Sequence, residues 1–184
     1  MDLEEKLVRT KVVYQGKYIR AEERIVRLPN GEEAQREIIT PPDAVGILPI
    51  DADGKVYLVR QYRPAIGRVT LEIPAGILEP EEEPVETARR ECAEETGMDP
   101  NRLDFMFSYY HSVGFSTGKI SVFLGRNLMP DPEAHADPQE FLEVVTLPFD
   151  QLYKRGLSGE ILDSKTLLAS LWYRQALDSG RVSR

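Results

Sequence analysis

Gly76-Ile77-Leu78-Glu79-Pro80-Glu81-Glu82-Glu83 leads into Pro84-Val85-Glu86-Thr87-Ala88-Arg89-Arg90-Glu91-Cys92-Ala93-Glu94-Glu95-Thr96 and closes on Gly97-Met98. Proline fits the first turn of a helix, where its missing N–H is no loss, and glycine just past the last turn accepts the left-handed conformation that ends one. The segment therefore predicts an acidic loop and then a helix from Pro84 to Gly97. On that helix Glu91 and Glu95 stand one turn apart and Glu94 three residues from Glu91, so the three carboxylates share a face. Val85, Ala88 and Cys92 form a small apolar stripe opposite, which lets the helix pack on a sheet and predicts that the acids stay outside. A glutamate-rich face in a chain with 31 acidic residues is ordinarily just solvated. Clustered carboxylates nevertheless repel unless a cation sits among them, and an all-oxygen ligand set suits Mg²⁺ or Mn²⁺ over Zn²⁺.

Upstream, Tyr18 to Leu28 is β-rich, Pro29-Asn30-Gly31 signals a turn, and Gln35 to Thr40 returns as a second strand. Pro41-Pro42 closes this small antiparallel unit, giving an N-terminal β domain over residues 1–42 and a main domain over 43–184. Ala44 to Ile50 and Lys55 to Tyr62 read as strands joined by a tight hairpin turn at Asp51-Ala52-Asp53-Gly54, and Thr70 to Ile73 as another. Downstream strands are expected at Leu103 to Tyr110, Lys119 to Leu124 and Phe141 to Thr146. Pro130 to Gln139, with three prolines, reads as a mobile surface loop. The tail from Pro148 to Leu177 is helical in two pieces, the second with Leu167, Leu168, Leu171 and Trp172 as its apolar face.

Composition excludes several classes. With 184 residues, 41% hydrophobic and 29% charged, the chain suits one main globular domain, and no stretch has the ~18 apolar residues of a membrane span. A net charge of −8 disfavours binding to nucleic acid backbones. The charged start Met1-Asp2-Leu3-Glu4-Glu5-Lys6 has no apolar signal core, and the single Cys92 has no intrachain disulfide partner, so a cytoplasmic location is expected.

The spacing is more specific than the charge. Gly76, five residues, Glu82, seven residues, then Arg90-Glu91-apolar-any-Glu94-Glu95-any-Gly97-apolar matches the Nudix signature at every defined position. At one register a chance match is on the order of 10⁻⁸. The chain thus resembles the Nudix hydrolases. That resemblance implies an α/β (α+β) fold, an α/β/α sandwich around a mixed sheet preceded by the small N-terminal antiparallel β domain, with residues 43–184 as the catalytic domain. It also implies that Glu91, Glu94, Glu95 and the carbonyl of Ala75 bind Mg²⁺ or Mn²⁺, Glu94 acting as further ligand or base. Arg90 would hold Glu82 by charge-assisted hydrogen bonds, and Gly76 would permit a close, strained turn beside the metal and substrate.

Similarity extends from about Tyr14 to Leu177 and points to the ADP-ribose pyrophosphatase branch. It is carried by Tyr14-Gln15-Gly16-Lys17-Tyr18, Gln35-Arg36-Glu37, Val59-Arg60-Gln61-Tyr62-Arg63, Leu71-Glu72-Ile73-Pro74-Ala75-Gly76 and Gly159-Glu160-Ile161-Leu162-Asp163-Ser164-Lys165-Thr166. By this resemblance Arg63 pairs with substrate phosphates, Arg36 and Glu37 contact base or ribose, Tyr18 stacks on the base, and His111 touches a phosphate or sugar. Their ordinary alternatives are a surface arginine, a half-buried strand aromatic and a structural histidine. A homodimer that exchanges its N-terminal domains is implied as well.

One segment departs from that branch. Ser112-Val113-Gly114-Phe115-Ser116-Thr117-Gly118-Lys119 lacks the proline and following glutamate of the usual Ser-Pro-Gly loop, which leaves Glu140 or the signature glutamates to supply the base. The leading activity is hydrolysis of ADP-ribose to AMP and ribose 5-phosphate. Hydrolysis of nucleotide sugars such as UDP-glucose or GDP-mannose, or of FAD and other dinucleotides, is the alternative. A non-catalytic ADP-ribose-binding module is the alternative of another class, and the intact glutamates argue against it.

Overall fold

The structure, a computed structural model, describes residues 2–135, 138 and 140–182. These form two compact units: the chain up to Asp43 together with Tyr109–Lys119, and Ala44–Ser108 with Ile120 onward.

The first unit is an antiparallel sheet in the order β1-β2-β3, formed by β1 (Lys6–Gln15), β2 (Arg20–Arg27) and β3 (Glu33–Thr40). The β2–β3 turn places Gly31 at φ 88°, a conformation that favours glycine. Strand β1 was not expected from the sequence: every one of its residues is exposed, so no one-sided burial imprints the two-residue alternation by which strands are read. Ile39 fastens the distant segment to β3, its N–H donating to Phe115 O at 2.7 Å and its carbonyl accepting from Thr117 N at 3.0 Å.

From Ala44 on the chain forms β4 (Ala44–Pro49), β5 (Lys55–Arg63), β6 (Arg68–Glu72), β7 (Ala75–Ile77), α1 (Pro84–Thr96), β8 (Met98–Tyr110), β9 (Lys119–Pro130), β10 (Leu142–Pro148), α2 (Phe149–Leu157) and α3 (Ser164–Asp178), all in the second unit except the last two residues of β8 and the first of β9. A mixed sheet runs β7-β4-β9-β8, with β4 parallel to β9 and antiparallel to β7, and an antiparallel sheet runs β10-β5-β6. Asp51–Gly54 makes the tight turn expected, with Gly54 N–H on Asp51 O at 3.1 Å, but the strands it joins go on into different sheets. Strands β4 and β5 belong to different sheets, linked across the turn by an antiparallel bridge between Ile50 and Val56 and by Asp51 N–H donating to Lys55 O at 3.0 Å, so the turn hands the chain from one layer to the next.

Strand β4 explains the layering. Its residues from Val45 to Pro49 are all buried, the pattern of a strand covered on both faces. Val45 and Ile47 point to one side, where they cluster with Ala88 and Cys92 of α1 and with Phe123. Gly46, pointing the other way, lies under Ile73 and the stem of Lys165 at the start of α3. Helices therefore cover both faces of the mixed sheet, giving the α/β/α arrangement.

Two helical faces differ from expectation. On α1, Glu91 and Glu95 are buried instead of staying outside, while Val85 is 44% exposed. On α3 the packed face is Thr166, Ala169, Ser170, Tyr173 and Ala176, and Leu168 and Leu171 are partly exposed. Small residues win there because the helices approach closely. A Cβ on Gly156 of α2 would meet Leu167 at 3.1 Å and Ser170 Oγ at 3.5 Å. The loop expected over Pro130 to Gln139 falls partly on Ala136, Asp137 and Gln139, outside the described residues; Pro130 itself ends β9.

Candidate active site

The signature helix begins as its sequence dictates. Pro84 occupies the first turn, Glu83 and Glu86 close a reciprocal capping box, and Gly97 ends the helix at φ 70° with its N–H on Ala93 O. That register fixes where each acid lies. Glu91 is 9% exposed and Glu95 5%, both against strand β7. Gly76 of β7 lies so close that a Cβ there would stand 2.0 Å from the Glu91 carboxyl carbon. Its neighbour Ala75 donates its N–H to Glu95 Oε2 at 3.0 Å.

Arg90 organises the exposed side of this cluster. Its Nε and Nη2 each donate to Glu82 at 3.1 Å, while Nη1 reaches Glu91 at 2.7 Å and Glu94 at 3.1 Å. Hydrogen bonding to Glu82 raises the Arg90 guanidinium pKa further, so it stays a fixed cation, and it holds Glu82 below the usual carboxylate range. Thr87 adds a hydroxyl donor to Glu82 at 2.8 Å.

Inside, charge is less well compensated. Burial raises the Glu91 carboxyl although Arg90 opposes the effect. Burial lifts Glu95 to about 8; the Ala75 N–H works against this, and the charges of Glu91 and Glu140 add to it. Glu140 is exposed ahead of β10, near enough for its charge to act on both buried acids. Cys92 takes no part, because burial pushes its thiol up to about 12 and keeps it protonated.

A second polar cluster adjoins the first. Glu72, 2% exposed, accepts from Arg63 Nε at 2.8 Å and Nη2 at 2.6 Å, from Thr70 Oγ1 at 2.5 Å and from Lys165 Nζ at 2.5 Å. Burial would raise its carboxyl, but these bonds and the charge of Lys165 outweigh it and hold it at about 2. Lys165 also donates to Asp163 at 2.9 Å, and Asp163 caps α3 by accepting from Thr166 N at 2.9 Å. Thr166 Oγ1 accepts from Ile73 N at 2.8 Å, and Pro74 O accepts from Ile47 N at 2.9 Å. The segment from Glu72 to Ala75 is thus fixed at every step.

Glu72, Lys165, Asp163 and Thr166 were not singled out from the sequence. The available signal was Asp163 three residues before Thr166, an N-cap pattern that places Lys165 on the first turn of α3.

The remaining expected site residues lie in the first unit. Tyr18 is exposed between β1 and β2, with Lys17 Nζ 4.7 Å from its ring centre. Arg36 on β3 gives Nε and Nη2 to Glu5 at 3.0 and 2.6 Å. Glu37 is exposed opposite Glu23 in the β2–β3 register. His111 is exposed, its Nε2 3.3 Å from Ser116 Oγ.

With this geometry in view, a family model described as NUDIX domain matches residues 40–166. The chain belongs to the Nudix family. An ADP-ribose pyrophosphatase of Bacillus subtilis (strain 168) is 38% identical over 91% of each chain. A methanol dehydrogenase activator of Bacillus methanolicus is 34% identical over 90% of each. A solved structure described as an ADP compounds hydrolase superposes with TM-score 0.85 at 23% identity, covering 99% of this chain and 100% of that one, and shares the fold.

Nudix hydrolases need a divalent metal, and the donors here fit one. They are all oxygen, two are buried carboxylates with raised pKa values, and the missing side chain at Gly76 lets the Glu91 carboxylate lie directly against β7. Among the described residues no three His, Cys, Asp or Glu side chains converge into a closed cage.

Proposed function

We propose that this protein is a metal-dependent pyrophosphatase that cleaves nucleoside diphosphates linked to a second group, with ADP-ribose the leading substrate and AMP and ribose 5-phosphate the products. One observation carries the reading: Glu91 and Glu95 are buried against Gly76 and Ala75 with their carboxyls raised by burial, and Arg90, which reaches Glu91, makes no hydrogen bond to Glu95 among the described residues. Buried carboxylates with raised pKa values of this kind mark functional sites, and a divalent cation would compensate their charge.

Glu91 and Glu95, with Glu94 and the Ala75 carbonyl, would hold Mg²⁺ or, in its place, Mn²⁺. When bound, the ion offsets pyrophosphate charge and acidifies a water. The chain's own groups do the rest. Arg90 keeps Glu91 and Glu94 in place, Arg63 offers its outward edge to a phosphate oxygen, and Glu94 or Glu140 takes the proton as water oxygen bonds to phosphorus and the bridging P–O bond breaks. Tyr18, Arg36, Glu37 and His111 are assigned to base, ribose and phosphate contacts. A homodimer exchanging its N-terminal units belongs to the same reading, supported by the exposed Leu7, Val12, Val13 and Tyr14 of β1. So does a cytoplasmic location, where the free Cys92 stays reduced.

The test is product formation from ADP-ribose, UDP-glucose, GDP-mannose, FAD and NADH, with Mg²⁺ and then with chelator. AMP formed fastest from ADP-ribose, and only with metal, supports the reading. A faster alternative substrate overturns the choice of ADP-ribose, and no turnover of any compound overturns the enzyme.

A further inference from the structure

Lys165 lies outside the signature, and the pyrophosphatase reading gives it no task. We infer that Lys165 is a positioning residue for Arg63: it pins Glu72 so that Arg63 presents its free edge to an oxygen of a nucleoside diphosphate. The class of ligand rests on the pyrophosphatase reading; the positioning rests on geometry.

Arg63 spends Nε and Nη2 on the two oxygens of Glu72 in a fork-to-fork pair, which fixes the plane of the guanidinium. Its Nη1 takes no partner among the described residues, and the side chain is 41% exposed. The direction in which Nη1 points is therefore set by the Glu72 carboxylate. Arg63 alone would leave that carboxylate free to turn about its own side chain. Thr70 Oγ1 on Oε1 and Lys165 Nζ on Oε2, both at 2.5 Å, lock it.

The lysine is built in for this purpose. At 6% exposure it is among the least expected residues to be buried, and it crosses β4 at Gly46, where a Cβ would meet its Cδ at 3.5 Å. Gly46 pairs with Ala75, the residue whose N–H holds Glu95, so Lys165 enters level with the buried acids. Asp163 anchors its other side while capping α3. A buried ion pair contributes little net stability compared with apolar packing, but it can specify one geometry.

A double-mutant cycle with Lys165→Met and Arg63→Lys tests this, read as the Kd of ADP for the metal-free protein by calorimetry, with Tm recorded alongside. Each single change should weaken ADP binding about tenfold, and the double change no further, because both remove the same oriented contact. Unchanged Kd in Lys165→Met with a lowered Tm would show a merely structural lysine, and penalties that multiply would show that Lys165 acts apart from Arg63; either overturns the inference. If Lys165→Met does not fold, Thr70→Val removes the other lock on Glu72 and should weaken ADP binding in the same cycle, an unchanged Kd overturning the inference. Turnover of ADP-ribose is measured separately. Wild-type protein that shows the ADP pattern but no turnover would end the pyrophosphatase reading alone, whereas wild-type protein that binds no ADP overturns the inference.

Discussion

Gly76 and Glu91 occupy one space: a Cβ on the glycine would stand 2.0 Å from both the carboxyl carbon and Oε1 of the glutamate. The glycine sits in β7, paired with Val45, and is not among the residues with positive φ. Its role is thus close approach, not the strained turn expected from the sequence. Gly76→Ala should push Glu91 aside and lower kcat about 10²-fold, the scale of an ångström-sized misplacement, with the far-UV circular dichroism unchanged. Near-normal kcat in that variant would mean that Glu91 can work from elsewhere.

Arg90 acts through three donor nitrogens on three carboxylates, Glu82, Glu91 and Glu94. Lysine supplies the charge at a single point and cannot span them. Arg90→Lys should therefore lose about 10²-fold in kcat while ADP-ribose binding changes less, since the loss falls on the orientation of the acids. Steady-state kinetics decides: a rise in KM alone would make Arg90 a substrate contact instead.

Glu95 gives the metal-free protein a pH dependence whose sign is fixed. Its carboxyl is raised to about 8 in the folded state, chiefly by burial, so the folded chain holds a proton that the unfolded chain releases near pH 4.5. Stability from this group is complete below about pH 4.5 and is lost as pH rises through about 8, on the order of 5 kcal/mol in all. Glu95→Gln keeps an acceptor for the Ala75 N–H without the charge. Its metal-free Tm should exceed that of wild type at pH 8 and above, while Mg²⁺ should raise the Tm of wild type only. A wild-type advantage at pH 8 without metal would refute this, as would equal stabilisation of both by Mg²⁺.

Much of this was legible because local chemistry and tertiary demand agree. Pro84, Gly97 and the acid spacing fix α1 wherever it packs, and the pairing of Arg90 with Glu82 is the one the family resemblance implied. What was missed depends on partners distant in sequence. Glu72 and Lys165 are 93 residues apart, and nothing local to Leu71-Glu72-Ile73 tells a buried carboxylate from a solvated one. The burial of Glu91 and Glu95 is illegible for the same reason: β7 covers them, and helical periodicity alone assigns charged residues to the outside. The α3 face shifted because Gly156 admits close helix contact, which favours Ala169 and Ser170 over the leucines.

The Glu72 cluster should govern acid stability with the opposite sign to Glu95. Although burial opposes it, bonds from Arg63, Lys165 and Thr70 depress the Glu72 carboxyl from its ordinary 4.5 to about 2. Here the unfolded chain takes up a proton first as pH falls, so the contribution is present above about pH 4.5 and is lost as pH drops through about 2. The displacement corresponds to about 3 kcal/mol. Glu72→Gln leaves Arg63 and Lys165 beside a neutral amide, and removing one partner of a buried pair costs about 3–5 kcal/mol at neutral pH. Urea unfolding of both proteins should show that deficit near pH 7 and a gap that narrows by about 3 kcal/mol towards pH 2, because the wild-type carboxyl is then protonated too. A gap that stays constant with pH would mean that Glu72 is not held as a carboxylate by its cations, and the buried pair with Lys165 would have to be abandoned.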